Sequence, residues 1–501
     1  MHDLARNTIS LIDGKRADAA TAGDKSNFTA PLSDAKRQQF NAAYPNRLAV
    51  EHTHSQHNPE KDWGRDTLRA IEFAFYVLNE QFGTPGPHGE KMRTITKHNT
   101  VVIASSISNG AAAALAAAEQ DEHGLIDGVA VTEPNIQVAA RHDLIVKRGA
   151  LNYSGGSKPL LDYSTFANLY QPCAALSTRA ATSALPFSAA FVPFAQARCA
   201  SLGDKGLLST TTPAAQGEEA LDKLLAYGWE PGTIPLHVSH WSLATPGIAM
   251  TYSNAHGRFS VADNLCSFSF AYTDAAGNVI APLPTLATIF GAANGVPPPG
   301  GINIVNNNNP AAFGGPKFER ISASPSNNKF DFNLDGALCQ RDLVTGRGEN
   351  AARVQVGMQQ AQRRGDRNLK PTIIVHGRDD ALVPVNFSSR PYYAQHQRVR
   401  GHKSEMVYIE VTNAQHFDAL LGVPGYAENY VPLHVYFNRA LGAMYAHLTA
   451  GAALPPSQIV RTTPRGAVTM PIGASNVPSW LPTPPAAERI VFDGNMLTIP
   501  D

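Results

Sequence analysis

No run of apolar residues in this chain reaches the roughly 20 that a membrane-spanning helix needs. Charge of either sign is not in excess: Lys+Arg and Asp+Glu are both 41, leaving no net charge. That balance argues against nucleic acid or an anionic membrane as a partner. The opening residues, MHDLARNTISL, lack a basic start followed by an apolar core, so no signal peptide is expected in them. Cysteine is scarce. Cys173, Cys199, Cys266 and Cys339 are the only four, and none sits at a CxxC or other metal-like spacing. An even count in a large chain fits two disulfides or four buried thiols. The position of all four outside the strand-rich segments favours disulfides, paired by proximity as Cys173–Cys199 and Cys266–Cys339, and hence an oxidising compartment. His52, His54 and His57 lie close together, but their spacing matches no standard zinc pattern. Histidines hydrogen-bonded in a loop are the expectation there. Internal repeats are lacking too.

What is present is an ordinary globular composition, 43% hydrophobic and 8% aromatic. The length, 501 residues, suits two to four domains or one large elaborated domain. Thr8–Ile12, ending at Asp13-Gly14, and Leu48–Val50 read as short strands. Leu68, Ile71, Phe75, Leu78 and Phe82 recur at three- and four-residue steps, one face of a helix capped by Asp66 or Thr67 and ended by Gly83. The apolar run Val101–Ala104 then reads as a buried parallel strand. An Ala-rich helix follows, and Leu125–Glu133 gives a second buried strand. This alternation predicts an α/β fold with a mostly parallel sheet.

From 150 to 349 the alternation stops. Asn152–Gly156, the Pro-rich Val296–Gly301 and Asn306–Asn309 punctuate the segment, with a helical piece at Glu218–Tyr227 and a strand-like piece at Ile248–Tyr252. A structureless loop of this length is improbable, so a folded lid inserted into the core is expected, holding all four cysteines. The α/β pattern resumes with a helix around Ala351–Arg364. The strand Pro371–Gly377, a helix over Ser388–Gln397 and the strand Met406–Val411 follow. Leu433, Phe437, Leu441, Met444 and Leu448 then mark a last helix. The organisation read from this is a core segment over 1–149, the insertion over 150–349, a second core segment over 350–450 and a tail over 451–501. The tail is Pro-rich and expected on the surface, closing with a hairpin over Arg489–Ile499 that turns near Gly494.

Between the first strand and the Ala-rich helix lies Ser106-Ile107-Ser108-Asn109-Gly110. A serine at a sharp strand-to-helix turn needs small residues two before and two after it, or their side chains collide; here they are Ser106 and Gly110. The layout is that of a nucleophile elbow, in an S-x-S-x-G variant. The competing reading is a Ser/Asn/Gly turn that only caps the helix. A serine hydroxyl needs a base, and the base an orienting acid. The chain supplies both in the order serine, acid, histidine. Asp380 follows the strand ending in His376-Gly377, with Asp379 as the neighbouring alternative and Glu133 as a runner-up after an earlier strand. His416 follows Met406–Val411 and precedes the last helix, where the base belongs. The backbone N–H of Asn109, the residue after the nucleophile, is the expected oxyanion donor. A second donor is not evident: no HGGG-like loop precedes Ser108, and Gly83–Gly86 is too close to the elbow. The sheet therefore reads as incomplete on its N-terminal side.

Several long motifs together resemble the D-(−)-3-hydroxybutyrate oligomer hydrolases. They are HSQHNPEKDWGRDTL, SSISNGAAAALAAAEQD with GLIDGVAVTEPNIQ, IIVHGRDDALVPVNFSSR and EVTNAQHFDALL, and in the insertion NLYQPCAAL, DNLCSFSFAY and FGAANGVPPPGGIN. The resemblance spans nearly the whole chain. It implies an α/β-hydrolase-type core and a carboxylic ester hydrolase that cuts short hydroxybutyrate oligomers to monomers, downstream of polyester breakdown, in an extracellular or periplasmic setting. By position it makes Ser108 the nucleophile, whereas Asp380 and His416 rest on chain order. No metal or organic cofactor is called for. The partner is a small ester oligomer, with Trp241 or Tyr252 as candidate contacts. The rival readings are an esterase of other substrate range and a non-catalytic fragment.

Overall fold

The computed structural model describes residues 8–10, 16–18, 32–141, 143–154, 156–281, 302–365 and 370–501. These form two compact units, one of 1–59, 160–227 and 234–359, the other of 60–159, 228–233 and 360–501.

Among its described residues the second unit carries nine strands: β1 Ile103–Ile107, β2 Gly128–Thr132, β3 Ile145–Arg148, β4 Leu151–Ser154, β5 Thr372–Gly377, β6 Met406–Val411, β7 Gln458–Val460, β8 Val491–Asp493 and β9 Met496–Ile499. Five of them make one all-parallel sheet in the order β7-β6-β5-β2-β1. Both faces of this sheet are covered, which is why β2, β5 and β6 are buried throughout and mostly apolar rather than alternating. Val129, Val131 and Ile374 face the helices α2 (Ser108–Gln120) and α3 (Ser389–Arg400). Ala130, Ile373 and Val375 face α4 (His434–Ala450) through Tyr436, Ala440 and Met444. The alternation of neighbouring residues between the two cores follows from the two-residue period of a strand. On α2, alanines 111, 112, 114 and 116–118 are buried, so the helix backbone lies close to the sheet.

Strand β1 begins two residues later than the apolar run suggested. The sheet's fifth strand, β7, comes from the segment read as surface tail. Its three residues are too few to show a period, and register with β6 defines them. The terminal hairpin forms as expected, turning at Gly494-Asn495, and β9 also pairs in parallel with β3 to make a sheet β8-β9-β3-β4. The helix expected from Asp66 or Thr67 starts at Pro59 and runs to Phe82 (α1). Proline suits a first helical position, where no N–H is needed. Gly64 lets it cross α2, since a Cβ there would lie 2.7 Å from the Ala116 carbonyl carbon.

The first unit is largely helical, with helices Leu160–Ala174, Val192–Asp204, Pro213–Tyr227, Thr245–Gly257, Leu334–Thr345 and Glu349–Gln360 among them. A four-stranded antiparallel sheet, Lys317–Phe318, Ile302–Asn306, Phe268–Tyr272 and Arg47–Leu48 in that order, packs Phe268, Phe270 and Tyr272 with Val50, Met250 and Ile302. Ile248–Tyr252, read as a strand, is inside the helix Thr245–Gly257. Every residue of that helix is buried, so it shows no polar face to betray a helical period. The Ala351–Arg364 helix ends at Gln360. Both disulfides form as paired by proximity. Cys173–Cys199 joins two helices, and Cys266–Cys339 ties the approach to Phe268–Tyr272 to a third. Arg198, fully buried, donates to the main-chain oxygens of Asn168, Asp331 and Phe332 at 2.9, 2.6 and 2.7 Å. Thr8–Ser10 pairs with Arg16–Asp18, while Asp13-Gly14 and the Pro-rich 296–301 lie outside the described residues.

Candidate active site

The site lies at the carboxyl ends of β1, β2, β5 and β6, the edge of a parallel sheet where loops carry function. Ser108 sits at the junction of β1 and α2 with φ of +57°. A non-glycine residue held there is strained by about 1–3 kcal/mol. The turn projects its hydroxyl off the sheet edge. His416 comes from the loop after β6, and Asp380 from the loop after β5.

These three converge. His416 Nε2 lies 3.1 Å from Ser108 Oγ, and His416 Nδ1 lies 2.7 Å from Asp380 Oδ2. With the imidazole proton on Nδ1, that nitrogen donates to the carboxylate and Nε2 is free to accept from the serine. Asp380 is fully buried and rigidly held. Its Oδ1 accepts the N–H groups of Leu382 and Val383 at 2.8 and 2.7 Å. Its Oδ2 also faces His376 Nε2 at 3.2 Å. Burial alone would raise the Asp380 carboxyl, but the neighbouring His416 and the hydrogen bonds from His376 and His416 outweigh it and hold the group well below the usual range. Burial likewise works against a charged His416. Asp380, helped by Glu133 and Asp418 when ionised, more than offsets it, and the imidazole is raised to about 9.

The alternatives separate clearly. Asp379, one residue earlier, points to Gly232, where a Cβ would meet its carboxylate, and burial raises it to about 7. It makes no contact with His416. Glu133 is at the site, its Oε2 3.9 Å from His416 Nδ1, which is beyond a hydrogen bond.

Asn109 is the second residue of α2, so its backbone N–H is among those at a helix start that lack an intrahelical acceptor. Its side chain is tied down: Oδ1 accepts from Asn135 Nδ2 at 2.9 Å, and the Asn135 N–H donates to Ser108 O at 3.2 Å. Asn135 also donates to Glu60 Oε1 at 3.2 Å. Sequence reasoning did not single out Asn135 or His376 as supports. His376 was visible as the His-Gly that ends the acid's strand, and Asn135 carried no signal of its own. Trp241 and Tyr252 are interior residues of the first unit. Trp241 donates to Asn168 Oδ1 at 2.9 Å and packs on Phe332, and Tyr252 packs edge-on to His52. His54 is also interior, accepting the Val50 N–H at Nδ1, and burial drives its pKa down to about 3.

An acid–histidine–serine relay on a parallel sheet can activate the hydroxyl for attack on a carbonyl carbon. The chain matches, over residues 1–501, the family described as 3HB-oligomer hydrolase. It is similar to proteins named D-(−)-3-hydroxybutyrate oligomer hydrolase. That of Polaromonas naphthalenivorans (strain CJ2) is 53% identical over 511 residues, covering 100% of this chain and 71% of the relative. That of Azoarcus sp. (strain BH72) is 52% identical over 510 residues, covering 100% and 72%. That of Cupriavidus necator is 46% identical over 508 residues, covering 100% and 70%. No solved structure matches.

Proposed function

The chain belongs to the 3HB-oligomer hydrolase family and is a hydrolase, and from that premise we propose that it is a serine esterase of the α/β-hydrolase type. Its reaction is the hydrolysis of 3-hydroxybutyrate oligomers to monomers through an acyl-enzyme. The observation that carries this reading is the position of His416 between Ser108 Oγ, at 3.1 Å, and Asp380 Oδ2, at 2.7 Å.

In this mechanism the Ser108 hydroxyl donates to His416 Nε2. As Oγ attacks the ester carbonyl, that proton passes to the imidazole, and Asp380 holds the imidazolium by its Nδ1–H. The carbonyl oxygen takes up negative charge, which the Asn109 N–H at the start of α2 stabilises. Collapse of the tetrahedral adduct breaks the ester C–O bond, and His416 returns the proton to the departing hydroxyl of one hydroxybutyrate unit. The other unit remains as an acyl ester on Ser108. Water then enters, gives a proton to His416 and attacks the acyl carbon; the bond from that carbon to Ser108 Oγ breaks, His416 returns the proton to Oγ, and the acid leaves.

Within 150–349, residues 160–227 and 234–349 fall outside the core unit and interrupt it in sequence, core strands lying on both sides, and they are read as its lid. Two disulfides support an extracellular or periplasmic setting, since such bonds persist in oxidising compartments. The test is product analysis with hydroxybutyrate dimer and trimer. Wild type releases monomer and Ser108→Ala does not. Cleavage of 4-nitrophenyl butyrate without monomer release would point to an esterase of other range, and equal slow rates in both proteins to a non-catalytic chain.

A further inference from the structure

Glu133 occupies a costly position. It is the residue after β2, it is buried, and its φ is +41° although it is not glycine. Such a backbone is strained. Its N–H is fixed to Val375 O at 2.9 Å, so the strain is imposed by the sheet. Its Oε2 is buried without a hydrogen-bond partner, which costs further stability. Both costs bring one atom to 3.9 Å from His416 Nδ1, alongside the Asp380 carboxylate that already holds that nitrogen. Stability gives no reason for this arrangement.

We propose that Glu133 is a second positioning acid for His416, sharing with Asp380 the task of orienting the imidazole and able to take that task over. This inference rests on the serine-esterase reading above. Burial pushes the Glu133 carboxyl well above its ordinary value, with His416 drawing it back and Asp380 and Asp418 adding to the rise. Burial beside the ionised Asp380 therefore favours the neutral form of Glu133. A neutral carboxyl still offers a carbonyl oxygen to an Nδ1–H donor. If Asp380 loses its charge, the repulsion that helps keep Glu133 protonated disappears. Its proton passes to solvent, and the carboxylate needs to move only about 1 Å to reach hydrogen-bond distance.

The test is a cycle of Glu133→Gln, Asp380→Asn and the double variant, with kcat and KM measured on 4-nitrophenyl butyrate across pH. Removing the lone acid of such a triad costs about 10⁴ in kcat. With a reserve acid, Asp380→Asn falls only about 10², Glu133→Gln alone about fivefold at unchanged KM, and the double variant about 10⁴, far beyond the product of the two. The residual activity of Asp380→Asn acquires an acid limb that the double variant lacks. A double variant no worse than Asp380→Asn, or an equal factor for Glu133→Gln in both backgrounds, overturns the proposal and leaves Glu133 structural. Should the double variant not fold, Glu133→Asp in the Asp380→Asn background decides, because the shorter acid cannot reach Nδ1 and the same collapse is expected. Wild-type activity in Ser108→Ala would instead sink the esterase reading itself.

Discussion

A Cβ built on Gly110 would stand 2.1 Å from Ser106 Oγ. The two residues that flank Ser108 at a distance of two thus face one another across the strand-to-helix turn. Gly110 is required here for space and not for an unusual φ. The prediction is reciprocal. Gly110→Ala should displace Ser108 and lower kcat by about 10²-fold, since even a 1 Å misplacement costs that much. Ser106→Gly removes the opposing Oγ, and also the Cβ at 2.9 Å. It should restore most of the activity in the Ser106→Gly/Gly110→Ala double variant. A double variant as impaired as Gly110→Ala would show that the collision lies elsewhere.

The raised His416 predicts an alkaline enzyme. A base must be unprotonated to accept the serine proton, and this one is raised to about 9. kcat/KM should therefore rise about tenfold per pH unit through neutrality and level off above about 9. Stability should move the opposite way. The folded state binds the proton more tightly than the unfolded one, so the His416 contribution is full below an unfolded value of about 6.5 and is lost as pH rises to about 9. A rate limb near 6.5, with a melting temperature flat between those values, would refute both.

Much of this candidate site could be read from the chain because the loops that carry Asp380 and His416 each follow a strand with an unambiguous signature. Thr372–Gly377 and Met406–Val411 are short, apolar and rich in β-branched residues, and both formed with bounds within one residue of the sequence reading. What was missed lacked a period. Gln458–Val460 is too short to show one, and Thr245–Gly257 is buried on every side. Strands Phe268–Tyr272 and Ile302–Asn306 were not read because their pairing is with each other, across an interval that no local pattern spans. The choice among Asp379, Asp380 and Glu133 needed coordinates, since neighbouring acids differ only in where they point.

Arg390 is fully buried and donates to Glu410 Oε1 and Oε2 at 2.8 and 2.9 Å, and also to Glu230. Arg378 meets Glu410 at 2.6 Å. Replacing Arg390 by Met leaves two buried carboxylates short of their counter-ion. It should cost about 3–5 kcal/mol, as breaking one side of a buried pair does. Urea unfolding with enzyme activity as a second probe measures it; a loss under 1 kcal/mol, on the order of a surface pair, would contradict the reading.

The two disulfides should contribute unequally. Cys266–Cys339 closes a separation of 73 residues and Cys173–Cys199 one of 26. By loop-closure entropy the longer is worth about 1 kcal/mol more. Paired Cys→Ala replacement of each should therefore lower stability by about 2–4 kcal/mol, more for the 266–339 pair. Four free thiols in the untreated protein, by mass spectrometry, would remove the basis of this prediction.

Ser108 and His416 are 308 residues apart in the chain. A ribosome adding about 5–20 residues per second makes Ser108 some 15–60 s before His416. For most of that interval β2, whose five residues are all buried in the finished sheet, waits for β5 to be translated. The nascent polypeptide thus carries an unarmed serine beside an adhesive strand, and its exposure to chaperones and to self-association is set by how long the intervening 240 or so residues take to emerge.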